Sequence, residues 1–152
     1  MVPQLEDLSM GNPDVSSQVQ CVVTLYPIID ILQLEHQHIQ YGVDPNEACS
    51  NDGSMGGMLF GKAPYKVPHL CQLANPENYI TKDTPPFFIQ HGMADTIVPF
   101  QQSILFADKL EKVLGKEKVT LELFPQVDHA EPFFRTKENT EKIFMFLDKY
   151  LK

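Results

Sequence analysis

Apolar residues recur along this chain in two periods, one short and one long. The tract 19–25 (Val-Gln-Cys-Val-Val-Thr-Leu) is β-branched and nearly continuous in hydrophobic character, and 87–90 (Phe-Phe-Ile-Gln) follows Pro85-Pro86. Runs of this kind predict strands covered on both faces, as in a parallel sheet. A third strand is predicted over 119–124. Over 99–114 the period lengthens: Phe100, Ile104, Ala107, Leu110 and Leu114 return at the three-to-four spacing of a helix packed on a sheet. Pro99 suits the first turn of that helix and Gly115 its stop. Ile143, Phe146, Leu147 and Tyr150 repeat the pattern over 137–150, with Glu138 and Glu141 near the positive end of the helix dipole. Strand–helix–strand–helix order predicts an α/β fold of three mainly parallel strands flanked by helices.

The remaining segments are irregular. Residues 1–18 are polar and turn-rich around Gly11-Asn12-Pro13-Asp14, and are expected to contribute no core element. Residues 33–80 carry short helical signals broken by Pro45, Pro64, Pro68 and Pro76 and by Gly53, Gly56, Gly57 and Gly61. They are expected to form an inserted lid or cap of short helices. No internal repeat or low-complexity tract occurs, and 152 residues are enough for one domain with its own core, expected to be 1–152.

Composition narrows the class of partner. A net charge of −8 argues against nucleic acid and anionic membrane surfaces. No apolar run reaches the length of a bilayer span, and 1–7 lack the basic and apolar regions of a secretory signal. Cys21, Cys49 and Cys71 have no metal-like spacing; the expectation is reduced thiols in a cytoplasmic protein, with a Cys49–Cys71 bridge open. His36 and His38, two residues apart on a helix, point to different faces, and no carboxylate set completes a metal shell. Both are expected at the surface. No phosphate-cradling loop is present, so neither a cofactor nor a metal is expected.

Two positions carry candidate chemistry. Asp95 lies in the turn between the second strand and its helix, and His129 lies in the loop after the third strand. Each alone is unremarkable, a helix cap and a loop histidine. Together they fall just past the carboxyl ends of neighbouring parallel strands, where α/β sites assemble. An interval of one helix and one strand would bring the carboxylate to the imidazole, fixing its tautomer and stabilising the imidazolium formed when histidine takes a serine proton.

The order strand, His91-Gly92-x-x-Asp95-x-x-Val98-Pro99, helix, strand, loop His129, amphipathic helix resembles the C-terminal half of an α/β-hydrolase of the esterase/lipase group. The likeness extends to 3–14, to 19–25 with Tyr26-Pro27 and Asp30, and to 54–59. It implies Asp95 as the triad acid, His129 as the general base, and a lid and part of the substrate pocket from 33–79. The chain departs from the family in three respects. No Gly-x-Ser-x-Gly nucleophile elbow occurs in the 152 residues, and the Gly-rich oxyanion loop is missing with it. His91-Gly92 follows the wrong strand to be that loop and belongs to the acid turn. Ser54 has Asp52 where an elbow needs glycine and reads as a helix-starting serine. Ala130 stands where the family usually has glycine.

Three readings follow. The first is a carboxylic-ester hydrolase segment holding acid and base but not the nucleophile, inactive alone and acting on small-molecule esters once complete. The second is a non-catalytic remnant that associates with itself. The third is part of a prolyl-oligopeptidase-like serine peptidase, with the short lid favouring esters. A three-stranded piece of a parallel sheet leaves an open edge at 19–25, and a homodimer through that edge is expected.

Overall fold

A computed structural model describes residue 7, residues 9–42 and residues 51–152. Strands β1 (Val22–Leu25), β2 (Phe87–Gly92) and β3 (Val119–Phe124) form one parallel sheet in the order β1-β2-β3. The central strand is β2, which pairs Val22 with Phe87 on one side and Phe87 with Val119 on the other. The connections run through helices α1 (Ile31–Tyr41), α2 (Met55–Phe60) and α3 (Pro68–Ala74) between β1 and β2. Helix α4 (Gln101–Leu114) links β2 to β3, and α5 (Lys137–Leu151) closes the chain.

Alternation along β2 decides which helix covers which face. Phe87 and Ile89 point toward α4, where Ile89, Phe106, Ala107, Leu110, Leu114 and Val119 form the main core with Ile29. The Phe87 and Phe106 rings meet edge to face, 5.4 Å between centroids. Phe88 points the other way and meets Phe146 of α5 at 5.5 Å. A second cluster joins α1 and α3 to the loop after β2: Ile31, Leu34, Cys71 and Val98 are all buried. The region expected to form a lid is therefore packed onto the candidate acid turn. His38 reinforces that contact, its Nε2 donating to the Ile97 carbonyl at 2.7 Å.

Polar residues anchor the chain as it leaves β1. Gln102 of α4 is buried; its Oε1 accepts from the backbone N–H of Ile29 at 2.9 Å and of Asp30 at 2.8 Å. Its amide nitrogen donates to the Asp30 carbonyl and to Gln37. Asp30 in turn caps α1 by accepting from Leu32. Across the sheet, Gln90 exchanges hydrogen bonds with Asn139 and donates to Glu122. Each amide occupies a place that an apolar residue would fill if packing alone governed it.

Several expectations are corrected. The first strand begins at Val22, not at 19, because Pro85 and Pro86 lack N–H groups and the ladder opens only where the Val22 N–H reaches the Pro86 carbonyl at 2.9 Å. The second strand runs on to Gly92, since His91 and Gly92 pair with Leu123 and Phe124. On α4 the buried stripe includes Phe106 while Ile104 is exposed. The apolar face of α5 is only half-buried. His38 is buried, not at the surface, whereas His36 is exposed. Cys71 is a free, buried thiol, raised above its ordinary pKa by that burial; Cys49 lies outside the described residues.

Leu110 of α4 is fully buried against the sheet, whereas Met145 is 74% exposed on α5. Leu110→Ala is expected to cost about 2–5 kcal/mol in urea unfolding and Met145→Ala less than about 0.5 kcal/mol. Equal shifts in the urea midpoint would contradict the assigned core.

Candidate active site

The carboxyl ends of the strands meet at one rim, and both candidate residues lie there. Asp95 follows the turn that ends β2, and His129 follows the turn that ends β3. The two turns touch through backbone. Met93 N–H donates to the Phe124 carbonyl at 2.9 Å and Ala94 N–H to the Val127 carbonyl at 3.1 Å. Gly92 makes this approach possible: a Cβ there would sit 2.1 Å from the Val127 carbonyl oxygen. Asp128 staples the turns from outside, accepting from the N–H of Thr96 at 2.8 Å and from its hydroxyl at 3.0 Å. Those bonds, with one from the His129 N–H, hold the Asp128 carboxyl below the ordinary carboxylate range.

Within this frame Asp95 Oδ2 lies 2.8 Å from His129 Nδ1. Asp95 is 4% exposed and ringed by donors. Its Oδ1 accepts from the N–H groups of Ile97 at 2.9 Å and Val98 at 2.7 Å, an Asx turn that fixes the carboxylate plane. Its Oδ2 faces His91 Nε2 at 3.1 Å as well as His129. Burial pushes the carboxyl up. The bonds from His91, Val98, His129 and Ile97 together outweigh that penalty and leave it below its usual value.

A carboxylate can only accept, so the His129 nitrogen facing it is the protonated one. Nε2 is then the free lone pair, on a side chain that retains 22% exposure. The Tyr26 ring packs against the imidazole at 4.5 Å and against Phe134 at 4.9 Å. Tyr26, Gln126 and Ala130 are the non-glycine residues with positive φ among those described, at 42°, 62° and 53°. All three flank this rim, a concentration of backbone strain characteristic of functional loops. Ala130 thus holds the left-handed conformation that glycine adopts more easily.

The structure brings Asp95 and His129 together and adds a second imidazole that the sequence pattern did not single out. His91 is completely buried and bonded to the same carboxylate oxygen. Its signal was available, since a histidine directly following a buried strand segment and four residues before a turn aspartate needs polar partners when buried. Ser54 is the N-cap of α2, accepting from Gly57 N–H at 3.1 Å, as expected of a helix-starting serine. Among the described residues no group of three His, Cys, Asp or Glu side chains could hold a metal ion, and no helix is long and apolar enough to cross a membrane.

A parallel sheet with helices on both faces and an acid–imidazole pair at its carboxyl rim defines part of an α/β-hydrolase fold. The comparisons agree: the sequence model of the BD-FAE family matches residues 3–110, and the chain belongs to that family. The Mycobacterium tuberculosis protein named "Probable carboxylic ester hydrolase LipM" is 42% identical over 125 residues, which cover 79% of this chain and 26% of that protein. A bifunctional GH43-CE protein of Bacteroides eggerthii superposes with a TM-score of 0.75 at 28% identity, over 92% of this chain and 18% of its own. A truncated carbohydrate esterase from gut microbiota gives a TM-score of 0.68 at 26% identity, over 90% of this chain and 44% of its own. The chain spans about a quarter of the length of the mycobacterial relatives it matches. The BD-FAE match takes in Asp95 and stops before His129.

The lowered pKa of the Asp95 carboxyl has a definite sign for stability. The unfolded chain binds that proton more readily than the folded one, so the stabilisation is complete above the ordinary carboxylate range and lost as pH falls through the lower folded value. Wild type and Asp95→Asn are expected to differ most in urea midpoint near neutral pH and to converge in acid. Parallel pH profiles would show that the carboxylate is not held in this way.

Proposed function

We propose that these residues carry the acid and the base of a carboxylic-ester hydrolase. The observation that supports this most directly is the 2.8 Å contact between Asp95 Oδ2 and His129 Nδ1 at the carboxyl rim of the sheet. Asp95 fixes the His129 tautomer with Nε2 unprotonated. Nε2 accepts the hydroxyl proton of a serine as its oxygen attacks the ester carbonyl, and the resulting imidazolium is stabilised by Asp95. The proton then passes to the leaving alkoxide, an acyl-serine forms, and water deprotonated by the same nitrogen releases the acid. The serine belongs to an elbow that is not found in these 152 residues, so the chain by itself has acid and base without a nucleophile. Ester rather than peptide substrates are favoured because the mycobacterial relatives bear the names carboxylic ester hydrolase and esterase. Residues 33–80 serve as the lid of this site, and 1–152 act as one folding unit in the cytoplasm.

The isolated chain is expected to give no serine-dependent burst with short p-nitrophenyl esters. Substituting it for the matching segment of LipM is expected to give an esterase whose kcat/KM falls by at least about 10³-fold on His129→Ala. A working chimera indifferent to that substitution would overturn the assignment.

Strand β1 has no neighbour on its outer side among the described residues. We assign that edge to the same strand of a second copy, which would supply the missing ladder. Sedimentation equilibrium at micromolar concentration is expected to return a dimer; a monomer defeats this part of the proposal.

A further inference from the structure

The acid of the site has a second histidine partner with a fixed role. His91 is 0% exposed and sits on β2, the central strand. Its Nε2 faces two acceptors, the Val98 carbonyl at 2.9 Å and Asp95 Oδ2 at 3.1 Å. A carbonyl oxygen never donates, so this nitrogen must carry the proton. Its Nδ1 lies 2.7 Å from the Ser103 hydroxyl of α4, which is itself 0% exposed. A hydroxyl can donate there, leaving Nδ1 as the lone pair. Every polar atom of the ring is thereby matched, and the tautomer is dictated by the surroundings.

We propose that His91 is a positioning residue for Asp95: anchored by Ser103 and the Val98 carbonyl, it donates from Nε2 to Asp95 Oδ2 and keeps that oxygen aimed at His129. The proposal rests on reading Asp95 and His129 as acid and base, and extends the pair into a buried line, Ser103–His91–Asp95–His129. Two neighbouring donors on one oxygen prevent the carboxylate from rotating away when the His129 ring moves. Both Asp95 oxygens then remain occupied, Oδ1 by the Ile97 and Val98 N–H groups and Oδ2 by the two rings. The largest contribution lowering the Asp95 carboxyl comes from the His91 bond, consistent with this role.

Because the test concerns positioning and not turnover, it uses the full chain and nuclear magnetic resonance of labelled histidine rings and aspartate carboxyls. In the wild type, His91 is expected with Nε2 protonated and Nδ1 not, and His129 with a low-field proton resonance from its bond to Asp95. His91→Phe keeps ring volume and removes both nitrogens; His91→Gln keeps an N–H near the Nε2 position. The Asp95 titration is expected to move to higher pH in His91→Phe and to return toward wild type in His91→Gln, with the low-field resonance lost in the first and recovered in the second. A wild-type His91 protonated at Nδ1 with a bare Nε2, or a folded His91→Phe chain with unchanged Asp95 titration, overturns the proposal. Should His91→Phe not fold, Ser103→Ala decides: the Nδ1 signal of His91 must shift, and an unmoved signal refutes the anchoring. A missing His129 resonance in a wild type whose Asp95 titration still responds to His91→Phe supports the His91 contact and instead removes the acid–base reading.

Discussion

A carboxylate buried to 4% exposure governs how this molecule is built. An isolated charge in that position would cost many kcal/mol, so the chain must bring donors to it or leave it protonated. Four N–H groups answer the requirement: two from the backbone just after Asp95, one from the strand before it and one from the loop after the next strand. The last two come from different elements, so satisfying one side chain fixes the relative placement of β2, its following turn and the His129 loop. Folding and the preparation of the site are therefore a single process at this rim.

The same logic recurs around the sheet. Gln102 satisfies the backbone that leaves β1, and Gln90 with Asn139 ties the central strand to α5. Apolar packing sets the layers, while these amides set the register of loops against helices, where hydrophobic contact is indifferent to small slides. The cluster of Ile31, Leu34, Cys71 and Val98 adds a second constraint, seating the helices after β1 on the acid turn. Val98, 1% exposed, is the acid turn's contribution to that cluster.

The layers were legible in the sequence because they depend on local period. Residues 119–124 form the third strand as read, and the spacing of Leu110 and Leu114 reports the face of α4 that meets the sheet. The acid–imidazole pair was legible because parallel topology sends successive strand ends to one rim. Less visible were features decided by partners far along the chain. Pro86 shortens β1 by withholding an N–H from across the sheet, an effect that 19–25 alone does not contain. His38 was expected at the surface, whereas the Ile97 carbonyl supplies it a buried partner, and the partners that bury Gln102 and Ser103 lie 12 or more residues away along the chain. His91 was read as part of a turn, whereas it continues the strand because the ladder to β3 and its own hydrogen bonds support it there.

The close passage of Gly92 beneath the Val127 carbonyl has a consequence for how such proteins diversify. The two loops at this rim meet main chain to main chain as well as through the Asp95–His129 and Thr96–Asp128 bonds, so their mutual fit depends on length and curvature in addition to those side chains. Outward-facing positions are free to drift, but an inserted or deleted residue in either loop, or any side chain at position 92, disturbs its counterpart. Recombination among homologues should accordingly exchange the two loops together as a matched cassette, with the glycine travelling alongside them.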